Sequence, residues 1–180
     1  MGGITTRNTM QRQERTAMTY ARRISLTVGA LLVPLIAVSG QAAAASLVRF
    51  QATVTETFTV ARCSPVPSLC FTIVGSGHAT HLGQIRETAA VVSNLASNAG
   101  PGCFTETRTT TLTAANGDTI TLAATGVNCA TGQTTVTAVD TYHVVGGTGR
   151  FSRARGSGAI TATIIVGKSA VVTFRGLLFL

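Results

Sequence analysis

Phe104-Thr-Glu-Thr-Arg-Thr-Thr-Thr-Leu-Thr-Ala-Ala-Asn-Gly-Asp-Thr-Ile-Thr-Leu122 is the stretch that decides the fold. Thr105, Thr107, Thr109, Thr111 and Thr113 fall on one side of a period of two, and Phe104, Glu106, Arg108, Thr110, Leu112 and Ala114 on the other. Such a period belongs to an extended strand with one wet and one dry face. Asn116-Gly117-Asp118 then carries the Asn-Gly signal of a tight hairpin, because both central residues of a type I′ turn need positive φ. Ile120 and Leu122 open the return strand.

The same alternation runs through the rest of the chain, which holds 25 threonines from Ser46 onward. Val48, Phe50, Ala52, Val54, Glu56, Phe58 and Val60 share a face against Gln51, Thr53, Thr55, Thr57 and Thr59. In Thr134–Val145 the shared face is Val136, Ala138, Asp140, Tyr142 and Val144. Ala159–Val166 and Ser169–Leu180 flank a turn at Gly167-Lys168, with Ile160, Ala162, Ile164, Val166, Val172, Phe174 and Leu178 toward the core. Phe71–Ile85 reads as a strand broken by bulges or a bend at Gly75, Gly77 and Gly83. Ala89–Ala99 reads as a loop. Seven or eight mostly antiparallel strands with one apolar face each predict an all-β chain. A small closed antiparallel barrel removes every sheet edge, and a two-sheet sandwich is the structural alternative.

Upstream, five arginines (Arg7, Arg12, Arg15, Arg22, Arg23) precede the apolar run Ile24 to Val38 and the small residues before Ser46. This is the order of an export signal. The run contains Pro34 and falls short of the roughly 20 residues that span a bilayer. Residues 1–45 are therefore expected to be a signal peptide, with translation starting at Met1, Met10 or Met18 and cleavage near Ala43 to Ala45. Residues 46–180 are expected to form one secreted domain that meets a membrane only during export. Arg22-Arg23 leaves the twin-arginine and general export routes both open. The net charge of +8 owes five of its positive charges to this segment. The remainder lacks the clustered basic and aromatic residues of nucleic-acid binders, so no nucleic-acid partner is expected.

Cys63, Cys70, Cys103 and Cys129 all follow the signal, and an even count in an exported chain reads as two disulfides. Three pairings are open. Cys63–Cys70, closing a loop with Pro65 and Pro67, and Cys103–Cys129, bridging neighbouring strands, is the favoured one. The spacing lacks the close pairs of a zinc site, and no metal is expected.

Tyr142-His-Val-Val-Gly-Gly-Thr-Gly-Arg-Phe-Ser-Arg-Ala-Arg-Gly156 resembles the Gly-Gly-Thr-Gly-x-Phe segment of plant dirigent proteins and of the related allene oxide cyclases. Gly77–Gly83 and Thr113–Asp118 resemble segments of secreted bacterial proteins of that barrel superfamily. The resemblance implies an eight-stranded barrel with an apolar cavity that holds small lipid-derived or phenolic molecules, no cofactor, and assembly as a homodimer or homotrimer. Physically, Gly146, Gly147 and Gly149 suit a tight strand connection, and Phe151 can plug the barrel. A phosphate cradle fails, because the third glycine of G-x-G-x-x-G is replaced by Ser152.

Strand phase places Glu56, Glu106, Arg108, Asp140 and Tyr142 on the apolar faces. Buried polar groups are costly unless paired, so these five are the expected lumen residues. A carboxyl whose pKa burial raises could exchange protons with a ligand while Arg108 and Tyr142 hold its oxygen. A structural salt bridge is the competing account. His78 and His81 sit three apart and fall on opposite faces of a regular strand, and His143 points outward. The expected function is binding or steering of a small hydrophobic ligand. The alternatives are a secreted structural or interaction module with a filled barrel and, by the resemblance alone, a cofactor-free isomerase or cyclase. A non-enzyme is favoured, and no residue is assigned a catalytic role.

Overall fold

The structure is a computed structural model that describes residues 46–65 and 67–180. The expected export signal and its cleavage site lie outside the described residues. Eight strands run in chain order: β1 Leu47–Cys63, β2 Ser68–Ala79, β3 Gly83–Asn94, β4 Cys103–Ala114, β5 Thr119–Ala130, β6 Thr135–Gly147, β7 Arg155–Ile165 and β8 Ser169–Phe179. Each pairs antiparallel with its neighbour, and β8 returns to β1, for example through Ala52 opposite Phe174. The sheet closes on itself and leaves no free edge.

The alternation that predicts the strands also sets their faces. Phe50, Ala52, Val54 and Glu56 of β1 are buried while Gln51, Thr53, Thr55 and Thr57 are exposed. β4 repeats this, with Glu106, Arg108, Thr110, Leu112 and Ala114 inside. Two ends of the apolar rows differ from expectation. Val60 and Val166 are both 56% exposed, because they stand at the far end of β1 and just past β7, where they rim the mouth of the barrel instead of packing in its core.

Two further expectations are corrected. Phe71–Ile85 is two strands joined at Thr80–Leu82, and Gly75 and Gly77 lie in unbroken β1–β2 pairing rather than in bulges. Ala89–Asn94 belongs to β3, and the loop begins only at Leu95. The β3 inner row is Ile85, Glu87, Ala89, Val91 and Ser93, while its outer row includes the apolar Ala90 and Val92. Two apolar residues outside and two polar ones inside erase the alternation that marks the other strands. The irregularity in the sheet falls instead between Thr121 and Leu122 of β5, opposite the Gly146-Gly147 end of β6.

One end of the barrel is packed solid. Phe50, Val54, Leu112, Ile120, Leu122, Phe151, Ile160, Phe174 and Leu178 are all at most 2% exposed. Phe151 closes this end from a single 3-10 turn, Gly149–Phe151, after a Gly149 with φ of 56°. Arg150 then lies over the Phe151 ring, 5.0 Å from its centroid, and meets Asp118 at 3.4 Å. Burial of these side chains at about 25 cal/mol per Å² is the main force holding the barrel shut.

The disulfides lie at the opposite end. Cys63–Cys70 closes the β1–β2 connection and Cys103–Cys129 ties paired positions at the start of β4 and the end of β5. Crosslinks of this kind suit an oxidising compartment, and here they brace the end that lacks a packed core.

Candidate functional site

Between the packed end and the disulfide end lies a cavity of about 480 Å³. Its upper wall is apolar, built from Phe58, Leu69, Phe71, Val91, Phe104 and Ile164. Ala138 and Ala162, opposite each other on β6 and β7, and Ala170 on β8 leave the middle wide. The cavity reaches down to Glu56, Ser93, Glu106, Arg108, Asn128 and Asp140. Beneath this polar layer, Phe174 lies under the Arg108 guanidinium at 5.9 Å and separates it from the packed core.

The polar layer has a regular construction. Glu56 of β1 and Glu87 of β3 each stand opposite Gly75 of the intervening β2. Glu106 of β4 and Asp140 of β6 each stand opposite Gly126 of the intervening β5. Two acids on next-but-one strands thus lean over a bare glycine. A Cβ on Gly126 would lie 1.9 Å from Asp140 Oδ1 and 2.3 Å from the Val139 carbonyl oxygen. At Gly75 the tightest contact would be 2.7 Å, to the Val54 side chain. Gly126→Ala is therefore expected to lower stability by about 3 kcal/mol or more, since backbone cannot move aside as a side chain can. Gly75→Ala should cost clearly less, and urea midpoints of the two variants check the order.

Arg108 pairs with both acids of the first pair. Its Nη2 donates to Glu56 Oε1 and, at 2.5 Å, to Glu87 Oε1, and its Nε donates to Thr110 Oγ1 at 2.7 Å. The two carboxylates hold the guanidinium pKa above its usual value against the opposing effect of burial. Desolvation pushes Glu87 up to about 8, although Arg108 works against it. The second pair has no guanidinium of its own. Asn128 Nδ2 donates to Glu106 Oε2, and the Asp140 and Glu106 carboxyls are neighbours across Gly126. Burial, then the neighbouring Glu106 charge, raises Asp140 to about 7, and burial also raises Glu106. Two acids this close cannot both be ionised cheaply in a dry site.

Glu56, Glu106, Arg108 and Asp140 converge on the cavity floor. Tyr142 does not line the cavity. It is 2% exposed and sits one step deeper on β6, edge-on to Phe50 and Phe174 in the packed half. Gly158 and Gly176 make room for its ring, and burial pushes its hydroxyl up to about 12. Alternation gives a side chain's face but not its depth along a tilted barrel, so phase alone makes Tyr142 equivalent to Asp140. Arg108 hydrogen-bonds Glu56, Glu87 and Thr110, the contacts expected of the structural salt bridge, while still lining the cavity. Ser93 and Asn128 complete the floor, Glu87 is buried behind it against Arg108, and the sequence pattern singles out none of the three. Extending the β5 row from Ile120 and Leu122 by its period of two reaches Asn128, whereas Glu87 and Ser93 lie on the strand with the blurred pattern. His78 and His143 are exposed, and His81 lies in the β2–β3 turn, its ring nitrogen 3.1 Å from the Arg49 carbonyl oxygen.

A closed eight-stranded barrel, plugged at one end and hollow over a carboxyl-rich floor at the other, defines a cavity-bearing β-barrel with the dirigent-like fold. Among solved structures the chain is similar to the pterocarpan synthase dirigent protein GePTS1, at 14% identity with a TM-score of 0.52, over 75% of this chain and 88% of that one. It also matches the pterocarpan synthase dirigent protein PsPTS1 at 14% identity with a TM-score of 0.49, over 74% and 95% of the two chains. No protein-family profile matches the sequence. No curated protein matches it either.

Proposed function

We propose that this chain is an exported barrel, cleaved near Ala43 to Ala45, that binds a small hydrophobic molecule in its cavity. The observation that carries the reading is the cavity itself: about 480 Å³, walled mainly by apolar side chains and floored by buried polar groups. A site of this size and make-up, greasy with a few converging polar groups, is the usual form of a small-molecule pocket. A filled barrel acting only as a scaffold would have no use for alanines at 138, 162 and 170 opposite so much space. The dirigent-like fold supports the same reading by analogy of fold. Asp140, on the floor with its pKa raised to about 7, could also exchange a proton with a bound ligand, which is the feature a cofactor-free isomerase or cyclase would draw on.

The neutral fluorophore N-phenyl-1-naphthylamine tests the binding proposal. Wild-type protein should take up one probe per chain with enhanced, blue-shifted emission. Ala162→Trp, which places an indole in the cavity from β7, should weaken uptake at least tenfold while the far-UV spectrum stays that of a β-barrel. Absence of uptake by the wild type would remove the proposal.

A further inference from the structure

Resting on that reading, we propose that the molecule the cavity takes is an organic amine, an apolar body ending in a protonated nitrogen that sits against Glu106, Asp140 and Asn128. Three carboxyl groups, Glu56, Glu106 and Asp140, line the floor and a fourth, Glu87, is buried behind it, against the one guanidinium of Arg108. That guanidinium is committed to Glu56, Glu87 and Thr110. The Glu106–Asp140 pair faces the cavity too, and although the Arg108 charge reaches both carboxyls it donates no hydrogen bond to either.

A second, independent observation concerns hydrogen bonds. Ser93 Oγ, Asn128 Oδ1 and Asp140 Oδ1 are buried on cavity-lining residues that are 1–2% exposed, and none has a hydrogen-bond partner. Unpartnered buried polar atoms are rare and costly. Asn128 Oδ1 can only accept, an ionised Asp140 carboxylate can only accept, and Ser93 Oγ accepts as readily as it donates. A ligand that completes this floor must bring donors, and an ammonium brings three donors together with the missing positive charge. An anionic head would meet the same acceptors, and the Nη2 and Nε donors of Arg108 are already taken by Glu56, Glu87 and Thr110. The apolar wall of Phe58, Phe71, Phe104 and Ile164 takes the remainder of the molecule.

Octylamine, octanol and octanoate share one chain and differ only in the head, so calorimetric titration of all three at pH 7 isolates its effect. Octylamine should bind at least tenfold more tightly than octanol, with octanoate weakest. In Glu106→Gln/Asp140→Asn, which keeps the side-chain shapes and removes the charge, the advantage of octylamine over octanol should disappear. Octanoate binding as well as octylamine, or an amine preference that survives in the double variant, would overturn the proposal while leaving a hydrophobic pocket in place. Failure of all three to bind, together with failure of the neutral fluorophore, would overturn the pocket as well.

Discussion

Arg108→Met should destabilise the barrel by about 3–5 kcal/mol at pH 8, the range found when one partner of a buried ion pair is removed. Methionine fills similar volume and leaves no large void, so the loss is electrostatic. Glu56 and Glu87, both 1% exposed, would then face each other across Gly75 with no cation between them. The loss should shrink as pH falls toward 5, because neutral carboxyls have less need of the guanidinium. High salt should restore little, since a pair this deep is poorly screened. Urea unfolding at pH 5 and pH 8 reads out both effects, and a loss of equal size at the two pH values would contradict the ion-pair account.

The wild-type protein should itself become less stable as pH rises from 5 to about 8.5. Asp140 and Glu87 have folded pKa values near 7 and 8, against ordinary values of 3.8 and 4.5. Between those limits the folded state holds protons that the unfolded chain has released. Stability falls with pH wherever the native state binds more protons. At about 1.4 kcal/mol per pK unit the loss is on the order of several kcal/mol, with Glu87 and Asp140 both contributing. Asp140→Asn carries no proton to lose and should flatten the curve above pH 5, most visibly around pH 7. Thermal or urea midpoints across that range check the slope, and a rising or flat wild-type profile would be incompatible with the buried pairs.

Much of this arrangement can be read in the sequence wherever solvent and core segregate cleanly along a strand. In β1, β4 and β6 the threonine rows face water, so the phase of each strand is unambiguous and Glu56, Glu106, Arg108 and Asp140 are placed inside. In β3 the phase is lost, because Ala90 and Val92 lie outside while Glu87 and Ser93 lie inside. Glu87 is therefore the acid that sequence reasoning misses, although it shares Arg108 with Glu56. Depth is equally hidden. Asp140 and Tyr142 are two residues apart on one face, yet only the first reaches the cavity. The acid–glycine–acid rows depend on the register between strands, which no single strand encodes. Gly75 and Gly126 look like strand breakers until their neighbours across the sheet are known.

Side-chain carboxyl titration by ¹³C NMR on the chain from Ser46 onward, which contains only Glu56, Glu87, Glu106, Asp118 and Asp140 as acids, bears most directly on the buried floor. At least two of the five should titrate above pH 6.5, and those signals should vanish in Glu87→Gln and in Asp140→Asn respectively. Five carboxyls all losing their protons in the ordinary range below pH 5 would show that the acids meet water, and the cavity floor described here would not exist.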